Sequence, residues 1–136
     1  MTGITPDLIN QYNISQAYNP AALTSDSQTS GIDLRDCGPT VTVLLHIGAV
    51  TGTTPTLTVT AQSSINDNTA SAEAAADAYA DITGASTSLT DSDANSVVSF
   101  TFHNRNERYV RLDLDVGGTS PSFTMGATVI SKKTSY

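Results

Sequence analysis

Ten residues of this chain are written twice. Val50 to Val59 reads V-T-G-T-T-P-T-L-T-V, and Val116 to Met125, 66 positions on (116 minus 50), reads V-G-G-T-S-P-S-F-T-M. Val50, Gly52, Thr53, Pro55 and Thr58 recur as Val116, Gly118, Thr119, Pro121 and Thr124, and the other changes are mild, such as Leu57 to Phe123. Alternating apolar and polar residues flank both copies. Glycine gives a backbone freedom of turning, proline fixes φ, and threonine suits a pleated strand. The pattern predicts two equivalent hairpins, each a turn between half-buried strands. A duplication and a convergence on good turn chemistry both account for the echo.

The flanking periodicity is that of β-structure. Val41, Val43, Leu45 and Ile47 form one inward set, and Leu57, Val59 and Ala61 continue it. Val98, Phe100 and Phe102 come next. Val110, Leu112, Leu114 and Val116 then alternate with outward Tyr109, Arg111, Asp113 and Asp115, and Phe123, Met125, Ala127 and Val129 close the chain. A one-residue slip would expose every core side chain at once, so register is well specified. The reading is an all-β protein of about seven or eight strands, an antiparallel β-sandwich that is jelly-roll-like, over residues 30–136. Leu44 breaks the outward phase of its strand and points to cover on both faces or to a subunit contact. Asp81 to Ala85 reads as a strand end and turn, and Ala70 to Ala80 as a short alanine-rich helix.

Residues 1–29 differ. Ile4, Leu8, Ile9, Tyr12, Ile14, Tyr18 and Leu23 lie among Asn, Gln and Ser with Pro6 and Pro20, and hold neither period for long. This is an extended N-terminal arm with too many apolar anchors for a disordered tail. It is expected to order against a partner or a neighbouring subunit, with Leu8, Ile9, Tyr12 and Tyr18 as the anchors; a frayed terminus is the alternative.

Charge narrows the function. Thirteen acids against six bases give a net charge of −7, so no broad basic surface exists for nucleic acid. One cysteine, Cys37, excludes an internal disulfide, and with two histidines it makes no zinc set. No cofactor or metal is expected. No basic start followed by an apolar run marks a signal peptide, and no run is long enough to span a membrane, so the product is expected to be soluble and made in a cytoplasm.

Catalytic constellations are hard to find. His46 and His103 fall on outward positions without a serine elbow or a cysteine signature beside them. Asp113 and Asp115 share one face with Arg111, which reads as a salt-bridged surface before it reads as a paired acid site. Asp91-x-Asp93 with Asn95 resembles the start of a calcium loop but lacks its glycine and its closing glutamate. Asn13-Ile14-Ser15 is a glycosylation sequon by letter. Arg105, Arg108 and Arg111 cluster on one predicted hairpin, with Lys132 and Lys133 near the partner strand; such a basic patch suits docking on another protein and equally a solvated surface without a role.

Two runs also resemble small virion structural proteins of tailed bacteriophages. They are Gly31-Ile32-Asp33-Leu34-Arg35 through the strand and G-T-T-P turn to Gln62-Ser63-Ser64, and Arg108-Tyr109-Val110-Arg111-Leu112 through G-G-T-S-P-S-F-T-M-G-A-T-V-I. Asp81-Ile82-Thr83-Gly84-Ala85 matches the element between them. The resemblance covers about residues 31 to 131; Tyr79 stands where that pattern has a tryptophan, and the alanine-rich insert is longer. It implies a non-enzymatic head decoration, or cement, protein on the outer capsid surface. Its partner would be the major capsid protein and its own state a homo-oligomer, a trimer by preference, made in the cytoplasm of a host bacterium. A fibre-associated or receptor- and glycan-binding sandwich is the alternative, weakened by aromatic residues at 6% and no tryptophan. An enzyme comes third.

Overall fold

The computed structural model describes residues 8–64, 79–104 and 108–134, with backbone alone for Leu8 and Ile9. The alanine-rich stretch before Tyr79 and Arg105 lie outside the described residues. A four-residue helix α1 (Leu8–Gln11) precedes seven strands: β1 (Tyr12–Leu23), β2 (Ser27–Gln28), β3 (Ile32–Asp33), β4 (Cys37–Ser64), β5 (Ala80–Thr90), β6 (Ser96–His103) and β7 (Tyr109–Lys133). All pairings are antiparallel within one sheet.

The repeated motif is not a hairpin turn. β4 and β7 are continuous bent strands that pair with each other from Cys37↔Lys133 to Ser64↔Tyr109, and both motif copies lie at the bend. The ladder passes from Val50↔Phe123 through Thr53↔Thr119 to Leu57↔Val116. The chain therefore turns a corner without reversing, because the partner strand bends at the same place. Gly52 and Gly118 have φ of +113° and +108°, and Thr54 and Ser120 φ of +45° and +48°. Glycine adopts such angles without strain, whereas a left-handed φ at the β-branched Thr54 and at Ser120 is a strained conformation that the surrounding corner imposes.

The corner folds the single sheet into an all-β sandwich. One layer holds β1, the second half of β7, the first half of β4, and β6. The other holds β2 and β3, the first half of β7, the second half of β4, and β5. Inward residues of both layers share one core, including Val43, Leu45, Leu57, Leu112, Leu114, Phe123 and Val129. Each large apolar side chain fully buried there contributes roughly 1.5–3 kcal/mol.

The equivalence of the two chain halves reaches well beyond the motif. Leu23, Ala22 and Ala21 of β1 pair with Phe123, Thr124 and Met125. Leu89, Ser88 and Thr87 of β5, 66 positions on (89 minus 23), pair with Leu57, Thr58 and Val59. Leu23 and Leu89 are both buried. Each half thus lends its first strand to the long strand of the other half.

Three further sequence expectations change. The N-terminal arm is in part a strand of the sandwich, since Tyr12–Leu23 pairs along β7; register shifts around Tyr18 to Ala21, with Pro20 among them, hide its period. Asp81 to Ala85 lies inside β5, in a bulge: Thr60 pairs Ser86 but Gln62 pairs Asp81, and Gly84 has φ +80°. Arg108 and Arg111 stand where the chain arches from β6 in one layer to β7 in the other, because β6 pairs with β4 and not with β7.

Candidate interaction surface

The outer faces of the two layers are equivalent in backbone and opposite in chemistry. On the β5 side, Thr56, Thr58 and Thr60 of β4 stand opposite Thr90, Ser88 and Ser86, and Asp113 and Asp115 of β7 flank them. Hydroxyls pair across the strands, Thr60 with Ser86 at 3.2 Å and Thr58 with Ser88 at 3.4 Å. That face is polar and acidic.

The β1 side carries Ile14, Ile130, Thr42 and Thr101 in one row, then Gln16, Thr128, Leu44 and Ser99 in the next, then Gly126, His46 and Val97. From the Ile14 row to Gly48 no outward position is charged; Lys132 borders the face one row beyond Ile130. Ile14 and Val97 are exposed by 46% and 60%, the two large hydrophobics most in water among the described residues, and both lie on this face. Between them runs a shallow groove of about 730 Å³, walled by Tyr18 and Pro20 on one side and by His46 and Val97 on the other. Gly126 and Gly48 form its floor. A Cβ at Gly126 would meet Pro20 Cγ at 3.2 Å, a tight contact, so the bulge of β1 packs closely on β7 at this glycine.

The anchors expected from sequence divide. Tyr18 lines the groove, Tyr12 is half-buried at the start of β1, and Leu8 and Ile9 belong to α1, their side chains lying outside the described residues. Of the basic patch, Arg108 donates to Asp33 from Nε at 3.1 Å and from a terminal nitrogen at 2.9 Å, and lies over the Tyr109 ring at 4.8 Å. Arg111 donates to Gln62 Oε1 at 2.8 Å and stacks over Tyr79 at 4.2 Å. Both cations therefore hold parts of the fold together. Tyr109, expected outward, is buried, with the Arg108 guanidinium over its ring.

Asp113 accepts a hydrogen bond from Gln28, and Asp26 accepts one from the Val116 amide at 2.8 Å. A shared hydrogen bond with Asp26, reinforced by its charge, holds the Asp115 carboxyl above the usual range. Its hydrogen bond to Arg108 draws the Asp33 carboxyl below that range. Asp93, expected at a loop of calcium-like pattern, caps a 3-10 turn by accepting from the Thr90 amide at 2.9 Å. His46 and His103 are both exposed on their outward phase. Among the described residues no three His, Cys, Asp or Glu side chains gather to hold a metal ion, and no helix is long and apolar enough to cross a membrane.

Sequence did not single out Gly126, Gly48 or Val97. Leu44 carried the available signal, an apolar residue in an outward phase; the rest of the face becomes visible only when four separated strands are set side by side.

No protein-family profile matches the chain, and no curated protein sequence does. Among solved structures it is similar to YomS, a protein of the SPBc2 prophage, over 98% of this chain and 99% of that one, at 12% identity and a TM-score of 0.50. Fainter likenesses reach the CBM22-1 and GH10 modules of a Clostridium thermocellum xylanase (93% of this chain, 29% of that, 7% identity, TM-score 0.47) and the cyanophage Pam1 capsid asymmetric unit (98%, 94%, 17%, 0.40). The likeness to YomS is one of fold. The other two are too distant to carry an argument.

Proposed function

We propose that this chain is a structural protein of a tailed-phage particle, a decoration protein seated on the outside of the assembled head. The observation that supports a binding role over a catalytic one is the uncharged outer face of the β1 layer, where Ile14, Ile130, Leu44 and Val97 stand among hydroxyl and amide side chains, with an acidic face opposite. Apolar surface of this kind lowers its free energy by leaving water, and four paired strands hold it in one shape at little entropic cost. A component that binds only the assembled shell stabilises that shell by mass action. The motif resemblance described above directs this reading to the phage head, with the major capsid protein as partner and a homo-oligomer as the working state. Leu8, Ile9 and Tyr12 are the proposed clamp on a neighbour; replacing them is expected to weaken retention on the head without unfolding the sandwich.

The test is the copy number of the chain per purified particle, measured against the major capsid protein by quantitative staining. Abundance comparable with the shell subunit is expected. A handful of copies would move the protein to a fibre or vertex, and absence from the particle would overturn the proposal.

A further inference from the structure

The uncharged face has a shape that bears on its occupant. Ile14 and Ile130 stand side by side, with Leu44 one row on, and together they make a low ridge. Two rows from Ile14, Gly126 has no side chain of its own and lies under Pro20, and Gly48 follows one row beyond; both line the groove. Ridge and groove lie next to each other on one face, so a two-fold axis in the contact plane brings the ridge of one copy over the groove of its mate. That is the self-complementarity an isologous contact requires.

Charge selects the same arrangement. A chain of net charge −7 resists meeting its own copy wherever acids face acids. The equivalent face of the other layer would set Asp113 and Asp115 against their counterparts. The β1-layer face carries no carboxylate, and pairing through it leaves the acidic faces on the far sides of the assembly. Area is sufficient and no more. Four strands of seven residues span about 19 Å by 23 Å, on the order of 450 Å² before side-chain relief. A pair buries on the order of 1,000 Å², at the lower edge of specific interfaces.

We infer that the outer face of β1, β7, β4 and β6 is the contact between two copies of this chain, closed about a two-fold axis. The inference rests on reading this face as an assembly surface, and its test is independent of the particle. Sedimentation equilibrium of the full chain, from sub-micromolar to hundreds of micromolar, is expected to show a monomer–dimer equilibrium with a micromolar midpoint. Ile14→Asp with Val97→Asp places carboxylates where water already reaches, and is expected to give a monomer with an unchanged circular-dichroism melting curve. Mixing that variant with Ile14→Lys/Val97→Lys is expected to restore a one-to-one pair. Ser86→Asp on the other layer is expected to leave the dimer intact.

A wild-type monomer throughout the range, a trimer, a dimer indifferent to the face variants, or equal dissociation by Ser86→Asp would each overturn the inference. Should the double variant lose its fold, Val97→Asp alone, at the most exposed position, decides between a monomer and an unaffected dimer. A chain abundant on particles yet monomeric in solution would retire the dimer alone, and a solution dimer absent from particles would retire the decoration role alone.

Discussion

Gly52 and Gly118 are packed against each other's strand at the sheet corner. A Cβ on Gly52 would lie 2.8 Å from Pro121 Cα and 2.8 Å from the Ser120 carbonyl oxygen; one on Gly118 would lie 3.0 Å from Pro55 Cα and 2.7 Å from the Thr54 oxygen. Each motif is thus the surface on which the other folds.

Gly52→Ala and Gly118→Ala are therefore expected to destabilise the protein by similar amounts. Both meet backbone rather than a movable side chain, and both force a non-glycine residue to a strained φ, so each loss should be at least ~2 kcal/mol. Urea titrations would read it as a lower midpoint. A large loss at one site and none at the other would show that the two sides of the corner are not equivalent.

Much of this fold was legible, and its failures share a cause. The inward sets around Val43, Leu57, Leu112 and Phe123 were readable because strict alternation fixes a face. The corner was not, since Gly-Thr-x-Pro chemistry serves a reversing turn and a bend equally well, and only the partner strand decides. β1 was missed because its register shifts twice within a few residues. Of the candidate surface, Leu44 and Tyr18 were visible; Gly126 and Val97 acquire meaning only through strand order, a non-local property.

Thr29 supplies a rung that the strands omit. Its hydroxyl accepts the Leu112 amide hydrogen at 2.8 Å while its own amide donates to the Leu112 oxygen at 2.9 Å, in the gap between β2 and β3. Thr29→Val keeps the shape and leaves that buried N–H unsatisfied, so a loss of about 1–3 kcal/mol is expected. Thr29→Ser should recover most of it. A valine variant as stable as the wild type would show that the hydroxyl contributes only its volume.

The Asp33–Arg108 pair ties β3 to the start of β7 with two hydrogen bonds. Arg108 holds the Asp33 carboxyl below its ordinary value of 3.8. The stabilisation is therefore complete above that value and lost as pH falls through the lower folded one. Both side chains are partly in water, so Asp33→Asn is expected to lower stability at neutral pH by only about 0.5–1 kcal/mol. The wild type and the variant should converge in acid, and a difference that persists there would assign the effect to packing.

Asp115 has the opposite sign. Its hydrogen bond and repulsion with Asp26, and the nearby Asp113, hold its carboxyl above 3.8 in the folded protein. Between the two values the folded state binds the extra proton, so this group adds stability as pH falls through the raised value, with the full gain reached below 3.8. At neutral pH both acids are charged and the repulsion opposes folding. Asp115→Asn removes it and is expected to raise the melting temperature at pH 7. The advantage should shrink on acidification, because Asp115 then takes up a proton in the wild type and the repulsion falls. Adding salt at pH 7 should also narrow the gap, since the repulsion acts through water. A variant less stable than the wild type at pH 7 would mean that the Asp115 carboxylate holds a favourable contact that outweighs its repulsion with Asp26.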